Sequence, residues 1–92
     1  MNVTVSDPSG KVVFKGKTDS HGTFTTEKIK PGTYDVQFIS PSAITGNYSI
    51  KVSAGVKHVS AAGIAGDKFA KGVALKVNVQ NLWEIVGEVK AQ

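Results

Sequence analysis

Few residues in this chain could carry chemistry. His21 and His58 are the only histidines in 92 residues, and Asp19-x-His21 is the only spacing that hints at a metal ligand pair. A zinc site takes three or four ligands, and beyond Asp19, His21 and His58 only distant carboxylates are available. Ser20 precedes His21, but a hydrolase needs nucleophile, base and orienting acid to converge from separate segments inside a cleft. Glu27, Glu84 and Glu88 fall at alternating strand positions, where they coat a solvent face and do not form a paired acid and base. No glycine pattern matches a phosphate or dinucleotide loop, and the ten glycines sit largely one to a turn. The expectation is a chain with no catalytic residues, no cofactor and no metal: not an enzyme.

Two aromatics suggest binding. Trp83 and Tyr48 are candidates for a platform under a sugar ring, since an aromatic face left open to solvent is uncommon unless something covers it. The competing and favoured role for both is core packing.

Charge narrows the partners. The net charge is +4, yet all eleven basic residues are lysine. Arginine makes the commonest bidentate contacts to guanine and phosphate, whereas dispersed lysines serve solubility and edge protection. No nucleic acid is expected as a partner. There is no cysteine, so neither disulfides nor thiolate metal sites hold the chain together, and packing must. No apolar run approaches the ~20 residues of a membrane helix, so no membrane insertion is expected.

The elements that position these residues read as strands. Val3 and Val5 alternate with Thr4 before the turn Asp7-Pro8-Ser9-Gly10. Lys11 to Thr18 continues the alternation, with Val12 and Phe14 expected inward and Lys11, Lys15 and Lys17 outward. Asp19 to Gly22 is a turn, Thr23 to Ile29 a strand anchored by Phe24, and Lys30-Pro31-Gly32 a type II turn signal. Tyr34, Val36 and Phe38 then alternate with Asp35 and Gln37, followed by Tyr48, Ile50 and Val52. Ser60 to Gly66, built of small residues, is ambiguous, and Asp67 to Gly72 reads as a polar connection. Val73, Leu75, Val77 and Val79 alternate again. Leu82 to Val89 is apolar on both faces, with Trp83, Ile85 and Val89 on one and Leu82 and Val86 on the other. No helical period is sustained, and turns recur at the spacing of sandwiches. The expected fold is all-β: a small Greek-key β-sandwich of about seven strands, transthyretin-like or immunoglobulin-like, with residues 1–92 as a single domain.

The run Thr18-Asp19-Ser20-His21-Gly22-Thr23-Phe24, followed by Ile29-Lys30-Pro31-Gly32-Thr33-Tyr34-Asp35-Val36, resembles the carboxypeptidase regulatory-like family with its transthyretin-like (prealbumin-like) sandwich. The resemblance covers about Val3 to Val59. More distantly, the turns are similar to collagen-adhesin B-type repeats, but Gln37 and Phe38 stand where their isopeptide-forming glutamate would, so no lysine-asparagine crosslink is expected. The first strand of the regulatory-like pattern, Ile-x-Gly-x-Val, is missing before Val3, while Ile85-Val86-Gly87-Glu88-Val89 has that form. The terminal strand therefore either fills the missing place or belongs to a neighbouring module, which leaves a monomer or a strand-exchanged dimer.

What the resemblance implies is a non-catalytic structural or accessory module, part of a larger exported bacterial protein that is extracellular, periplasmic or cell-surface. Its expected partners are the other domains of that protein and a protein ligand. The alternative is a carbohydrate- or matrix-binding module, distinguished by Trp83 or Tyr48 lying exposed on a concave face.

Overall fold

The computed structural model describes residues 1–92. The strands are β1 (Asn2–Ser6), β2 (Val12–Lys17), β3 (Thr23–Ile29), β4 (Gly32–Ile39), β5 (Asn47–Ala54), β6 (Lys57–Ala65), β7 (Val73–Val79) and β8 (Trp83–Ala91), with one 3-10 turn at Gly66–Ala70. They form two antiparallel sheets in the orders β2-β1-β4-β7 and β3-β8-β5-β6. The all-β sandwich expected from alternation is therefore present. It has eight strands instead of about seven: β6, which runs from Lys57 and takes in the small-residue stretch from Ser60, pairs with β5 as an edge strand.

Alternation explains the layering. In β1, β4 and β5, residues two apart are buried in series: Val3 and Val5, then Tyr34, Val36 and Phe38, then Ile50, Val52 and Ala54. Successive side chains of a strand point to opposite faces, so these residues fill the space between sheets. Val77, Val79, Phe24, Ile29, Phe69 and Ile85 complete the cluster. Each fully buried aliphatic or aromatic side chain contributes roughly 1.5 to 3 kcal/mol. Phe24 of one sheet packs against Phe14 and Phe38 of the other, with ring centroids 6.4 and 5.6 Å apart, so the three rings tie the layers together.

Three local readings are corrected by the structure. Val12 is 50% exposed. A bulge places Val5 opposite Phe14 but Ser6 opposite Val12, leaving Val13 as the extra residue and turning Val12 outward. The connection expected to be polar carries the fully buried Phe69: the 3-10 turn drops its ring into the core, and its carbonyl accepts from the Ser40 N–H at 2.8 Å. In β8 only Ile85 and Gly87 are buried, while Leu82, Trp83 and Val86 are exposed.

The terminal strand completes its own sandwich. β8 lies between β3 and β5, with Val86 opposite both Thr25 and Ser53. Its central place buries Ile85 and Gly87 on one face and leaves Val86 on the other face exposed. The Gly87 backbone passes under Phe24, where a methyl group would clash with one edge of the phenylalanine ring. No helix is long and apolar enough to cross a membrane.

Candidate functional site

Two turns meet at one end of the sandwich. β5 and β6 are joined by the two-residue turn Gly55-Val56, and β7 and β8 by Gln80 to Leu82. Gly55 has φ +65° and no non-glycine residue has positive φ, which is the arrangement of a type II′ hairpin with glycine at its first central position. Such turns are normally tipped by polar residues, yet Val56 is 86% exposed. Leu82 and Trp83 lie exposed at the same end, Trp83 with 52% of its surface open. Three exposed apolar side chains are thus gathered at the turns of one end of the sandwich.

Between the turns lies a cleft of about 340 Å³, lined by Gly55, Val56, Lys57, Gln80, Asn81 and Trp83. The indole rests beside Gly55: a side-chain carbon there would sit 3.6 Å from the bond shared by its two rings. Lys57, Gln80 and Asn81 are all exposed and bring an ammonium and two amides, donors and acceptors for hydroxyl groups. A wider depression over β1 and β2, about 470 Å³, is lined by Asn2, Thr4, Lys15, Gly16, Lys17 and Ile39 and offers no aromatic face.

The other aromatic candidate lies elsewhere. Tyr48 pairs with Ala91 and Ala54 with Ile85, so Tyr48 and Trp83 occupy opposite ends of the β5-β8 ladder, roughly 26 Å apart at 3.3 Å per residue. Tyr48 packs edge-on against Phe69, with centroids 5.7 Å apart, and its hydroxyl donates to the Thr45 carbonyl at 2.9 Å. Trp83 and Tyr48 thus form no joint platform. Trp83 alone fronts a cleft.

The groups weighed for catalysis serve turns and surfaces. One Asp19 carboxylate oxygen accepts from the N–H groups of His21 and Thr23 at 2.8 and 3.0 Å. The bond from Thr23 leads, that from His21 follows, and together they hold the carboxyl below its ordinary range. Asp7 is lowered in the same way, chiefly by the Ser9 hydroxyl. His58 lies on edge strand β6 opposite Ser53. No three histidine or carboxylate side chains gather where one metal ion could hold them. Glu27 and Glu84 are exposed, and Glu88 pairs with Lys90 at 3.6 Å.

Sequence reasoning singled out Trp83 but missed Gly55, Lys57, Gln80 and Asn81. A signal existed in the Gly55-Val56 turn with its apolar tip, and in the amide pair two residues ahead of the only tryptophan.

Comparison with protein families corrects the resemblance drawn from the turns. The matching model is that of polysaccharide lyase family 4, domain II, over residues 2–60, a fibronectin-III-like module and not a carboxypeptidase regulatory-like, transthyretin-like or collagen-adhesin one. The residues behind the earlier resemblance are general devices. Asp19 satisfies the donors of its own turn, and the Tyr34 hydroxyl donates to the Lys30 carbonyl at 2.7 Å, closing a corner that any antiparallel sandwich can use. No curated protein and no solved structure matches the chain. With more than half of its length matched, from β1 into β6, the chain belongs to the polysaccharide lyase family 4 domain II family.

Proposed function

We propose that this chain is a non-catalytic accessory module of an exported, polysaccharide-acting protein, and that it contributes carbohydrate contact and domain spacing without turnover. The observation that carries the reading is the family match over residues 2–60. The placement of its ionisable groups supports the non-catalytic part: Asp7 and Asp19 are engaged in their own turns, and the remaining acids lie mostly on exposed strand faces, as surface charges do. A second reading, packing against other domains of the parent protein, is favoured by Val12 and Val13, which are exposed side by side on edge strand β2.

The test is co-sedimentation of the purified chain with a panel of insoluble polysaccharides, with the supernatant assayed for new reducing ends and unsaturated sugars. Retention without product is the expected result. Product formed by the isolated chain would overturn the non-catalytic reading, and failure to be retained by any polysaccharide would remove carbohydrate contact from it.

A further inference from the structure

The cleft between the Gly55-Val56 turn and the Gln80 to Leu82 turn has the makings of a sugar subsite, and we infer that it binds one pyranose ring with Trp83 as the stacking surface. The inference deepens the reading above and rests on it.

Ile85 and Gly87, on the same strand face as Trp83, are buried in the core, whereas Trp83, at the start of β8 opposite Ile29, keeps about half its surface in water. Indole is costly to leave exposed, and here it is backed by a turn of fixed geometry, because Gly55 holds φ +65° in a two-residue hairpin. A pyranose ring suits such a surface. Its C–H groups form an apolar face whose slight positive charge meets the negative face of the indole, while its hydroxyls point outward around the rim.

The rim supplies partners for those hydroxyls. Lys57, Gln80 and Asn81 line the same cleft and between them offer ammonium and amide donors together with amide acceptors. An apolar protein segment would leave these groups unpaired on docking, at a cost. A sugar would use both the flat apolar surface and the polar rim. The cleft volume of about 340 Å³ lies within the range of small-molecule sites.

Trp83 is the only tryptophan, so intrinsic emission reports on this site alone. The experiment titrates the chain with soluble oligosaccharides of neutral hexoses, deoxyhexoses and uronic acids. It follows tryptophan emission and quenching by acrylamide, alongside co-sedimentation of the variants with polysaccharide. The expected result is a saturable emission change and protection from acrylamide with at least one sugar class. Trp83→Ala should weaken polysaccharide retention roughly tenfold, and the double variant Gln80→Ala/Asn81→Ala should reduce the emission response while leaving the circular dichroism spectrum intact. Retention unchanged by Trp83→Ala would overturn the cleft as the subsite while leaving the module's carbohydrate role standing. Loss of retention by the unaltered chain as well would take both down. Protection of Trp83 in the full-length parent protein before sugar is added would mean that a neighbouring domain fills the cleft, and would also overturn the inference.

Discussion

The backbone N–H of Ile85 donates to the Thr26 hydroxyl at 2.9 Å, at the one place where β3 and β8 fall out of register. Thr25 faces Val86 and Lys28 faces Glu84, so Thr26 and Glu27 together oppose the single residue Ile85. A bulge of this kind disrupts the ladder. Thr26, buried with 5% exposure, supplies the missing acceptor from its side chain, and its hydroxyl donates to the Glu27 carbonyl at 2.7 Å. Thr26→Val keeps the shape but leaves the Ile85 N–H buried and unpaired, which costs about 1 to 3 kcal/mol. Thr26→Ser restores the acceptor and should recover most of the loss. Urea unfolding of the three proteins measures this directly, and equal stabilities for Val and Ser would show the hydroxyl to be dispensable.

Gly87 makes a different demand. Its backbone has no left-handed φ, so the constraint is space: a methyl group at this position meets the Phe24 ring. Gly87→Ala forces that ring away from Phe14 and Phe38 and is expected to cost about 1 to 3 kcal/mol by overpacking. Phe24→Leu in the same chain makes room, so the double variant should be less unstable than the sum of the two single changes. Strict additivity in thermal or chemical unfolding would mean that the two sites do not press on each other.

How far the fold was legible follows from the same physics. Tyr34, Val36 and Phe38 alternate without interruption, and the structure buries all three, because an unbulged strand keeps its two-residue period. The reading failed where the period broke. The bulge at Val13 turned Val12 outward, and the buried Phe69 was hidden among Asp67, Lys68 and Lys71 in a 3-10 turn too short to show a period of its own. Trp83 was legible as a candidate, but its exposure depends on which residues of other strands and turns cover it. Of its neighbours in the cleft, Gly55, Val56 and Lys57 come from a turn more than twenty residues earlier, which no local pattern connects to it.

Acid should weaken the two aspartate turns. The carboxyls of Asp7 and Asp19 are lowered in the folded protein from an ordinary value of 3.8 by hydrogen bonds to their charged forms. A group whose folded value is depressed stabilises the fold above its unfolded value and loses that contribution as pH falls through the folded value. The contribution is thus complete at neutral pH and fades below about pH 3.8. Asp7→Asn and Asp19→Asn keep an acceptor oxygen but cannot titrate. The double variant should show a flatter loss of the urea midpoint between neutral pH and pH 3 than the parent chain. Parallel slopes would assign acid sensitivity to other carboxylates.

Adjacent residues of β8 should respond in opposite ways. Ile85 is fully buried between the sheets, while Val86 is 37% exposed between Thr25 and Ser53 on the outer face. Ile85→Ala should cost about 2 to 5 kcal/mol through lost contacts and the cavity left behind. Val86→Asp places a charge in water and should cost no more than about 1 kcal/mol. A core-like loss for Val86→Asp would indicate that the outer face of this sheet is covered in solution.

Association is the remaining consequence of β8 lying inside its sheet. Exchange of this strand between two copies would require the ladders to β3 and β5 to open together, so the expected species is a monomer whose mass does not change with concentration. Two of the four sheet edges, β2 and β6, also oppose pairing. β2 carries Lys15 and Lys17 with a bulge at Val13, and β6 begins at Lys57 and bends at Gly63, whose φ is +67°; charges and bulges both discourage strand addition. Light scattering over a hundredfold concentration range decides the matter. A growing dimer fraction would point to edge pairing or to the exposed Val12 and Val13. Val13→Lys separates those two causes, because it removes apolar contact at β2 while leaving the β6 edge unaltered.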